Sequence, residues 1–546
     1  MMFSGSRSKN GERGVTLWVG IASLVAVVPF VGLTIDVGMM YAVQTKLQAS
    51  VDGAALAAAR ALVLGQSTTA QATSAKQNAV NWFYSNFPTS NWATSNTVMS
   101  SSNVSVFDDP TNPHLRNVTI TATTNVPTYF MKWLNISSTT VSATGNASRR
   151  DVISMIVLDR SGSMNSGVPT ACSQMISAAK VFTGQFSAGR DKIGLLSYSD
   201  GIYLHSAPST SFQTTLGYTN SSGSAAGAID TINCNGGTGT AAALSVAYNE
   251  LYKLMQPGAL NVVMLETDGL PNSMVLNWWD AGALKVGLDP GSPCKDKAGK
   301  TVGGGGFKTA ASIPSWTAGH AMGPSGYMSD IPAGMIGNLY SSDPSQNGGS
   351  HYFIAMMGPW QASANTGNNS IYLDNSTAPS CNFTSSNDAS DFNTGGWVPT
   401  TDVYGNQLIP GTNPYKTPVN LSGSYVSIAG NASTTAWTNI HNAALNATDN
   451  AAYRIRTNAT LPAYMFVIGL GGNSGDQPDF TLLQRMANDP NGDNYNNPAK
   501  YNTCASTASC VNYSSQPQGT FIFSANSGSL GQAFLSISSQ ILRLSK

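Results

Sequence analysis

Hydrophobic residues follow three patterns along the chain, and each predicts a different kind of element. Residues 15–35 are almost continuously apolar, and at ~1.5 Å per residue such a helix crosses a ~30 Å hydrocarbon core. Residues 103–109, 117–134 and 139–148 carry the alternation of half-buried strands. From residue 152 onward, short apolar runs alternate with helix-period segments, which indicates a doubly wound α/β sheet covered on both faces.

The charges around the apolar span predict its orientation. Arg7, Lys9 and Arg13 precede it, whereas only Lys46 follows closely. The positive-inside rule therefore places residues 1–14 in the cytoplasm, residues 15–35 in the membrane and the rest of the chain outside. A cleaved signal peptide is the alternative. However, the apolar run is longer than the ~7–15 residues of an ordinary signal-peptide hydrophobic region, and no A-x-A cleavage site follows it closely.

Residues 36–65 continue as a predicted stalk helix. Apolar side chains recur there at steps of three and four, which defines one stripe: Met40, Val43, Leu47, Val51, Ala54, Ala58 and Leu62. The stripe either packs on the chain's own domain or mediates homo-oligomerisation. Residues 66–149, with a predicted helix over 70–83 before the strands, form a small α+β module.

Composition narrows the classes of function. The 546 residues include 27 Lys+Arg and 27 Asp+Glu, and only 10% are charged. Without clustered basic residues the chain is not expected to bind nucleic acid. The six cysteines all follow the apolar span, which favours disulfides in an oxidising compartment. Proximity favours Cys504–Cys510, although the sequence leaves the pairings open.

The α/β domain is predicted in two parts, 150–269 and 433–546. Strands are expected at 152–158, 192–199, 202–205, 260–267, 464–470 and 520–524, and helices at 171–187, 241–255, 434–457, 479–487 and 528–544. Between the two parts lies a Trp-, Gly- and Asn-rich insertion, 270–432. A loop of that length is either a domain of its own or functional. Its five tryptophans and two cysteines favour a folded domain, in which the tryptophans either pack in a core or bind a partner or glycan.

Oxygen-bearing side chains gather on three loops of this domain. Asp159, Ser161 and Ser163 follow the first strand, Thr238 precedes a helix, and Asp268 follows the strand 260–267. Ligands of such sheets bind at the carboxyl ends of the strands. Carboxylate and hydroxyl oxygens without sulfur or imidazole suit Mg²⁺ or Mn²⁺. The alternative is that these residues act only as caps and turns.

Two family resemblances follow from ordered motifs. The set Glu12-Arg13-Gly14, the apolar span, and then Ile35-Asp36-Val37-Gly38 and Tyr41 through Ala59 resembles the N-terminus of TadE/TadG-like Flp pilus-assembly proteins. The set D-x-S-x-S, G-G-T and T-D-G resembles the von Willebrand factor A domain and its metal-ion-dependent adhesion site.

The second resemblance implies a role for each site residue. Ser161, Ser163 and Thr238 would ligate the metal directly, Asp159 and Asp268 would act mostly through water, and one position would stay open for a partner's carboxylate. Cys172 follows the first of these loops and Cys234 precedes the second, so a disulfide between them could stiffen the metal face.

Together the resemblances imply a TadG-like protein of a bacterial inner membrane, with its bulk periplasmic or extracellular. It would serve assembly or anchoring of Flp-type pili by capturing an acidic pilus or secretion component. The alternative is a surface adhesin for host or matrix ligands. An enzyme is not expected, because the sequence shows no nucleophile–base motif.

Overall fold

The chain divides into two compact units, residues 1–150 and 151–545, each considered by itself. The structure is a computed structural model. It describes residues 12–89, 91–199, 202–217, 227–234, 237–276, 278–280, 283–288, 307–309, 334–338, 352–355, 370–373, 402, 404–408, 433–471, 478–496 and 512–545.

The first unit combines two long helices with a four-stranded antiparallel sheet. Its elements are α1 (Glu12–Ala61), α2 (Thr68–Asn86), β1 (Ser95–Val98), β2 (Val104–Asp108), β3 (Leu115–Pro127) and β4 (Ser138–Arg150). Strand β3 pairs with β4 along its whole length and also with β1 and β2.

One continuous helix, α1, contains the predicted membrane span and the predicted stalk as far as Ala61, four residues short of its predicted end. From Leu17 it is apolar and long enough to cross a membrane by length and composition. Further along, the predicted stripe is buried against α2 and the sheet: Val43, Leu47, Val51, Ala54, Ala58 and Leu62 are at most 1% exposed. The stripe is therefore covered within its own unit, and oligomerisation would need another face of α1.

The sequence placed one strand over 117–134, but β3 ends at Pro127. The Asp36 carboxylate of α1 accepts the backbone N–H groups of Tyr129, Phe130 and Met131. These groups cannot then join a strand ladder, and residues 131–134 form a 3₁₀ turn instead.

Burial of the α1 stripe predicts a large difference between two leucines of the same helix. Leu47→Ala should lower the free energy of unfolding of this unit by about 2–5 kcal/mol, because it leaves a cavity in the core. Leu56→Ala, at a position that is 52% exposed, should change it by less than about 0.5 kcal/mol. Urea unfolding of the full chain in detergent tests this pair, and equal effects would contradict the packing.

The second unit is built on a six-stranded sheet. Its strands are β5 (Val152–Asp159), β6 (Lys192–Tyr198), β7 (Ile202–Ser209), β8 (Leu260–Thr267), β16 (Tyr464–Leu470) and β17 (Phe521–Ser524). Their order across the sheet is β17-β16-β8-β5-β6-β7. All neighbours are parallel except the edge strand β7, which is antiparallel to β6.

Helices cover both faces of this sheet. They are α3 (Ala171–Thr183), α4 (Phe212–Thr215), α5 (Thr240–Leu254), α6 (Ser433–Thr457), α7 (Phe480–Ala487), α8 (Asp493–Asn496) and α9 (Leu530–Leu544). One core lies between the sheet and α5, α6 and α7, and the other between the sheet and α3 and α9. Since β5 and β8 are buried at every position, the predicted doubly wound α/β fold is confirmed.

Within the insertion the described residues form two antiparallel sheets. One contains β9 (Ser273–Leu276), β13 (Gly334–Asn338), β14 (Tyr352–Ala355) and β15 (Ser370–Leu373); the other contains β10 (Trp278–Asp280), β11 (Ala283–Leu288) and β12 (Phe307–Thr309). Apart from residues 270–272, 402 and 404–408, the rest of the insertion lies outside the described residues, as does the predicted pair Cys504–Cys510.

Candidate metal centre

The first loop of the candidate site starts where β5 ends. Asp159 is the last residue of that strand and is fully buried. Its Oδ1 accepts the backbone N–H of Ser161 at 2.8 Å, and a 3₁₀ turn over Gly162–Asn165 follows. This hydrogen bond fixes how the chain leaves the sheet and so positions both serines.

Two hydrogen bonds between the backbone of Thr238 and Asn272 join the second and third loops. Thr238, ahead of α5, donates its N–H to Asn272 Oδ1 at 2.7 Å, and its carbonyl accepts the N–H of Asn272 at 2.9 Å. A Cβ at Gly269 would lie 3.9 Å from Thr238 Oγ1. The Thr238 hydroxyl therefore lies beside the T-D-G turn, while Gly236 of the G-G-T motif lies outside the described residues.

Three of the predicted residues make direct hydrogen bonds with one another. Ser163 Oγ donates to Asp268 Oδ1 at 2.6 Å, and Ser161 Oγ lies 3.4 Å from the same oxygen. The two serine hydroxyls are 2.9 Å apart. The structure thus gathers Ser161, Ser163 and Asp268 at one point, with Asp159 behind Ser161 and Thr238 beside Gly269.

The other oxygen of Asp159 is held by two residues to which the sequence assigned no role. Thr267 Oγ1 donates to Asp159 Oδ2 at 2.7 Å, and the Tyr198 hydroxyl donates to it at 3.2 Å. Tyr198 ends β6 directly opposite Asp159 in the strand register. The rule that parallel strands end at one edge could have identified it. Since both oxygens of Asp159 are engaged, its carboxylate is suited to positioning the loop.

A third acid, Glu266, is buried next to Asp159 and Asp268 and was also missed. It is an acidic residue at the end of an apolar strand, which is the signal that could have singled it out. Burial raises the pKa of Glu266 well above its usual value, and the charges of Asp159 and Asp268 raise it further.

The electrostatics favour a cation at this point. Burial, and after it the charge of Asp159, raise the pKa of Asp268 to about 7, and burial raises the pKa of Asp159. Within the described residues, Asp268 Oδ2 is buried without a hydrogen-bond partner. A divalent cation would relieve both the repulsion and the unsatisfied oxygen.

The residues present fit Mg²⁺ or Mn²⁺, because every candidate donor is an oxygen. No cluster of three His, Cys, Asp or Glu side chains able to hold a metal occurs in the described part of the chain. A metal here would therefore depend on the hydroxyls of Ser161, Ser163 and Thr238 as well as on carboxylates.

Cys172 and Cys234 lie beside the first loop, as the sequence suggested. Their sulfurs are at bonding distance, with the Cα atoms 6.1 Å apart. Asn165 Nδ2 donates to the Cys234 carbonyl, and Arg160 Nη1 donates to the carbonyl of Asn233 at 3.4 Å. The segment carrying Cys234 is thus attached to the first loop by two polar contacts, and its sulfur lies beside that of Cys172 at the start of α3.

Because His205 on β7 is buried, we expect the stability of the second unit to depend on pH. Burial, with the charge of Arg160 as a smaller cause, lowers the pKa of His205 to about 3, and its Nε2 lies 2.7 Å from Ser197 Oγ. The unfolded chain binds this proton near its ordinary pKa of about 6.5. The stability due to neutral His205 is therefore present above about pH 6.5 and is lost as pH falls toward 3.

His205→Gln should accordingly lose less stability between pH 7 and pH 5 than the parent protein does. Urea midpoints at the two pH values give the stability loss of each protein. Subtracting one loss from the other cancels the contribution of Asp159, Glu266 and Asp268, which both proteins share. His114→Gln in the first unit is the control. Parallel losses in the parent and His205→Gln proteins would show that His205 does not contribute.

Two family models match the chain. The von Willebrand factor type A domain matches residues 154–270, and the Flp pilus-assembly TadE/G-like family matches residues 14–61. The chain therefore carries a TadE/G-like segment at its N-terminus and a von Willebrand factor type A domain beyond it. The TadE/TadG-like and von Willebrand factor A resemblances drawn from the motifs are thus confirmed as domain matches.

Similar solved structures include pilus proteins. The PilB minor pilin from Streptococcus sanguinis is 12% identical, with 83% of this chain and 80% of that one covered and a TM-score of 0.31. The von Willebrand domain of the type V pilus tip protein Mfa5 from Porphyromonas gingivalis is 15% identical, with 73% and 98% covered and a TM-score of 0.30. Such values carry no argument about function. No curated protein matches the chain.

Proposed function

We propose that this chain is a membrane-anchored envelope protein that serves the assembly or anchoring of Flp-type pili and binds a protein partner through a metal-ion-dependent adhesion site. The convergence of Ser161, Ser163 and Asp268 at the edge of the sheet carries the metal part of the proposal. The TadE/G-like segment in the same chain supports the pilus part. The role is structural and not enzymatic.

Mg²⁺ or Mn²⁺ would be held by the hydroxyls of Ser161, Ser163 and Thr238, with Asp159 and Asp268 positioning them or acting through water. When bound, the cation supplies a positive charge that attracts a carboxylate. The protein's own contribution is to orient the hydroxyls through the Asp159 hydrogen bonds and to bury the acids around them. The proposed partner therefore offers an acidic side chain.

The anchor sets the location. The apolar helix and the TadE/G-like segment fit a single-pass membrane protein. We place it in the bacterial inner membrane, with residues 1–14 cytoplasmic and the A-type domain on the other side, since the basic residues precede the span. A bridge between Cys172 and Cys234 in this compartment would stiffen the first loop, and unchanged metal affinity after reduction would count against that role.

Calorimetric titration of MgCl₂ and MnCl₂ into the full chain in nanodiscs tests the metal site. A fragment beginning at residue 66 is unsuitable, because α1 contributes to the core of the first unit. The parent should bind about one ion, as one site requires. Thr238→Val should abolish binding while keeping the backbone bonds to Asn272, and Ser177→Ala on the exposed side of α3 should bind normally.

Absence of binding in the parent protein would reject the metal mechanism. If the parent does bind, capture of partners with and without Mg²⁺ tests the function. Mg²⁺-dependent recovery of pilus or secretion components supports the proposal. Recovery of host or matrix ligands alone would replace it with the adhesin alternative.

A further inference from the structure

The loop between β3 and β4, residues 128–137, exposes large apolar side chains. Trp133 is 89% exposed and Leu134 74%, and Tyr129, Phe130 and Ile136 are also exposed. Isolated exposed apolar residues are ordinary, but a contiguous group marks a surface that contacts something apolar. Hereafter this segment is the β3–β4 loop.

The apolar group continues directly onto α1. A cavity of about 510 Å³ lies between helix residues such as Leu24, Pro29 and Leu33 and loop residues such as Trp133 and Leu134. Its walls are almost entirely hydrocarbon, and the helix residues that line it belong to the predicted membrane span.

The Phe130 ring packs the loop against α1 at Gly32, where only glycine leaves room for it. Gly32 is buried, and a Cβ added there would collide with the Phe130 ring. At Gly38 an added Cβ would meet nothing within 4 Å. The close approach at Gly32 therefore reflects specific packing of the loop against α1.

Six backbone N–H groups between Tyr129 and Ile136 find acceptors within the unit. Asp36 Oδ1 accepts the N–H of Tyr129 at 2.8 Å, and Oδ2 accepts those of Phe130 at 2.9 Å and Met131 at 2.7 Å. Loop carbonyls accept three further N–H groups, those of Trp133, Asn135 and Ile136. These bonds lower the cost of placing irregular backbone beside lipid, because each unsatisfied polar group would add several kcal/mol there.

The α1 residues that line the cavity show how deep in the bilayer it would lie. Leu24 and Leu33 are nine residues apart, or about 14 Å of helix at 1.5 Å per residue, close to half of a ~30 Å hydrocarbon core. These residues occupy the half of the predicted span that is nearer to the folded part of the unit. Tyr129 and Trp133 are residue types enriched at membrane interfaces, and the exposed Lys132 can extend its ammonium toward head groups.

We propose that the β3–β4 loop is embedded in the outer leaflet beside α1, with lipid acyl chains filling the cavity between them. The membrane then contacts this protein at two segments distant in sequence. This inference rests on α1 crossing a bilayer and is independent of metal binding, so either can fail without the other.

Fluorescence quenching by bromine in the acyl chains tests the proposal. The full chain is reconstituted in vesicles of ordinary or dibrominated phosphatidylcholine, and the emission of Trp133 is isolated by subtracting Trp133→Phe from the parent. Trp82→Phe provides the matched control, because Trp82 is 40% exposed and lies against Gly53 of α1, about 25 Å of helix beyond Asp36. We expect brominated lipid to remove most of the Trp133 emission and little of that of Trp82.

Two results would overturn the proposal. If iodide in the aqueous phase quenches Trp133 and brominated lipid does not, the loop lies in water. If neither agent quenches it, protein covers the loop, and a second copy of the chain or another partner replaces lipid as the occupant.

A second pair of variants tests the seating of the loop. Gly32→Ala adds the methyl group that collides with Phe130, and Gly38→Ala adds one in open space. Bromine quenching of Trp133 should fall in Gly32→Ala and stay unchanged in Gly38→Ala. Equal quenching in both variants would contradict the packing of Phe130 on Gly32 that holds the loop beside the helix.

Discussion

Asp268→Asn is expected to raise the melting temperature of the metal-free protein and to abolish its stabilisation by Mg²⁺. Without a cation, Asp268 adds negative charge beside Asp159 and Glu266 in a buried site, and the neutral amide removes this repulsion. With a cation, the same charge favours binding. Saturating the parent at 100 times the dissociation constant should add about 2.7 kcal/mol, and the variant should gain nearly none.

Asp268→Asn should raise the melting temperature without Mg²⁺ but lose the increase that Mg²⁺ gives the parent, and this combination makes the prediction specific. A merely destabilising change would lower the melting temperature with and without Mg²⁺. Thermal unfolding of both proteins in chelator and in excess MgCl₂ measures the four values. Asp108→Asn, at an exposed carboxylate of the first unit, is the control and should behave like the parent. A full Mg²⁺ effect in Asp268→Asn would exclude Asp268 from the site.

Asp449→Ala should lower the free energy of unfolding of the second unit by about 3–5 kcal/mol. Arg485 Nη2 lies 2.6 Å from Asp449 Oδ2, and both side chains are 1% exposed. Removing the carboxylate takes away the ion-pair partner that contacts this buried guanidinium between α6 and α7. Urea unfolding measures the shift.

Two comparisons identify the cause of that loss. The double variant Asp449→Leu/Arg485→Met should recover much of the stability, since it removes both charges and keeps apolar volume. Lys253→Ala breaks the more exposed pair with Glu250 and should cost at most about 1 kcal/mol. If Asp449→Ala costs no more than Lys253→Ala, the buried pair does not stabilise the unit.

The four inner strands of the second unit's sheet could be predicted from sequence because they are buried on both faces. Strands β8 and β16 have the predicted ends, and β5 differs by one residue. Each is a continuous apolar run, and each is followed by a loop that carries a motif or by a helix. Local pattern and tertiary environment agree in these strands, so no long-range information was needed.

The site was predicted less completely because part of it depends on which strands are neighbours. Asp159, Ser161, Ser163, Thr238 and Asp268 stand in local motifs, and the structure places them at one sheet edge. Tyr198 reaches Asp159 only because β6 pairs with β5. Metal binding itself remains a prediction.

The end of β3 could not be predicted for a similar reason. Its residues up to 134 have strand-like composition, but Asp36, more than ninety positions earlier, accepts three of the N–H groups that the ladder would use. One carboxylate thus converts a strand into a loop, and no local pattern records it.

The uninterrupted course of α1 has a mechanical consequence. At 1.5 Å per residue its 50 residues form a rod about 75 Å long, and its distal half is clamped in the core of the first unit. Beyond Pro29, no loop interrupts the helix before its clamped part. A pull on the first unit would therefore act along the rod, and a rotation of the rod within the bilayer would turn the first unit with it.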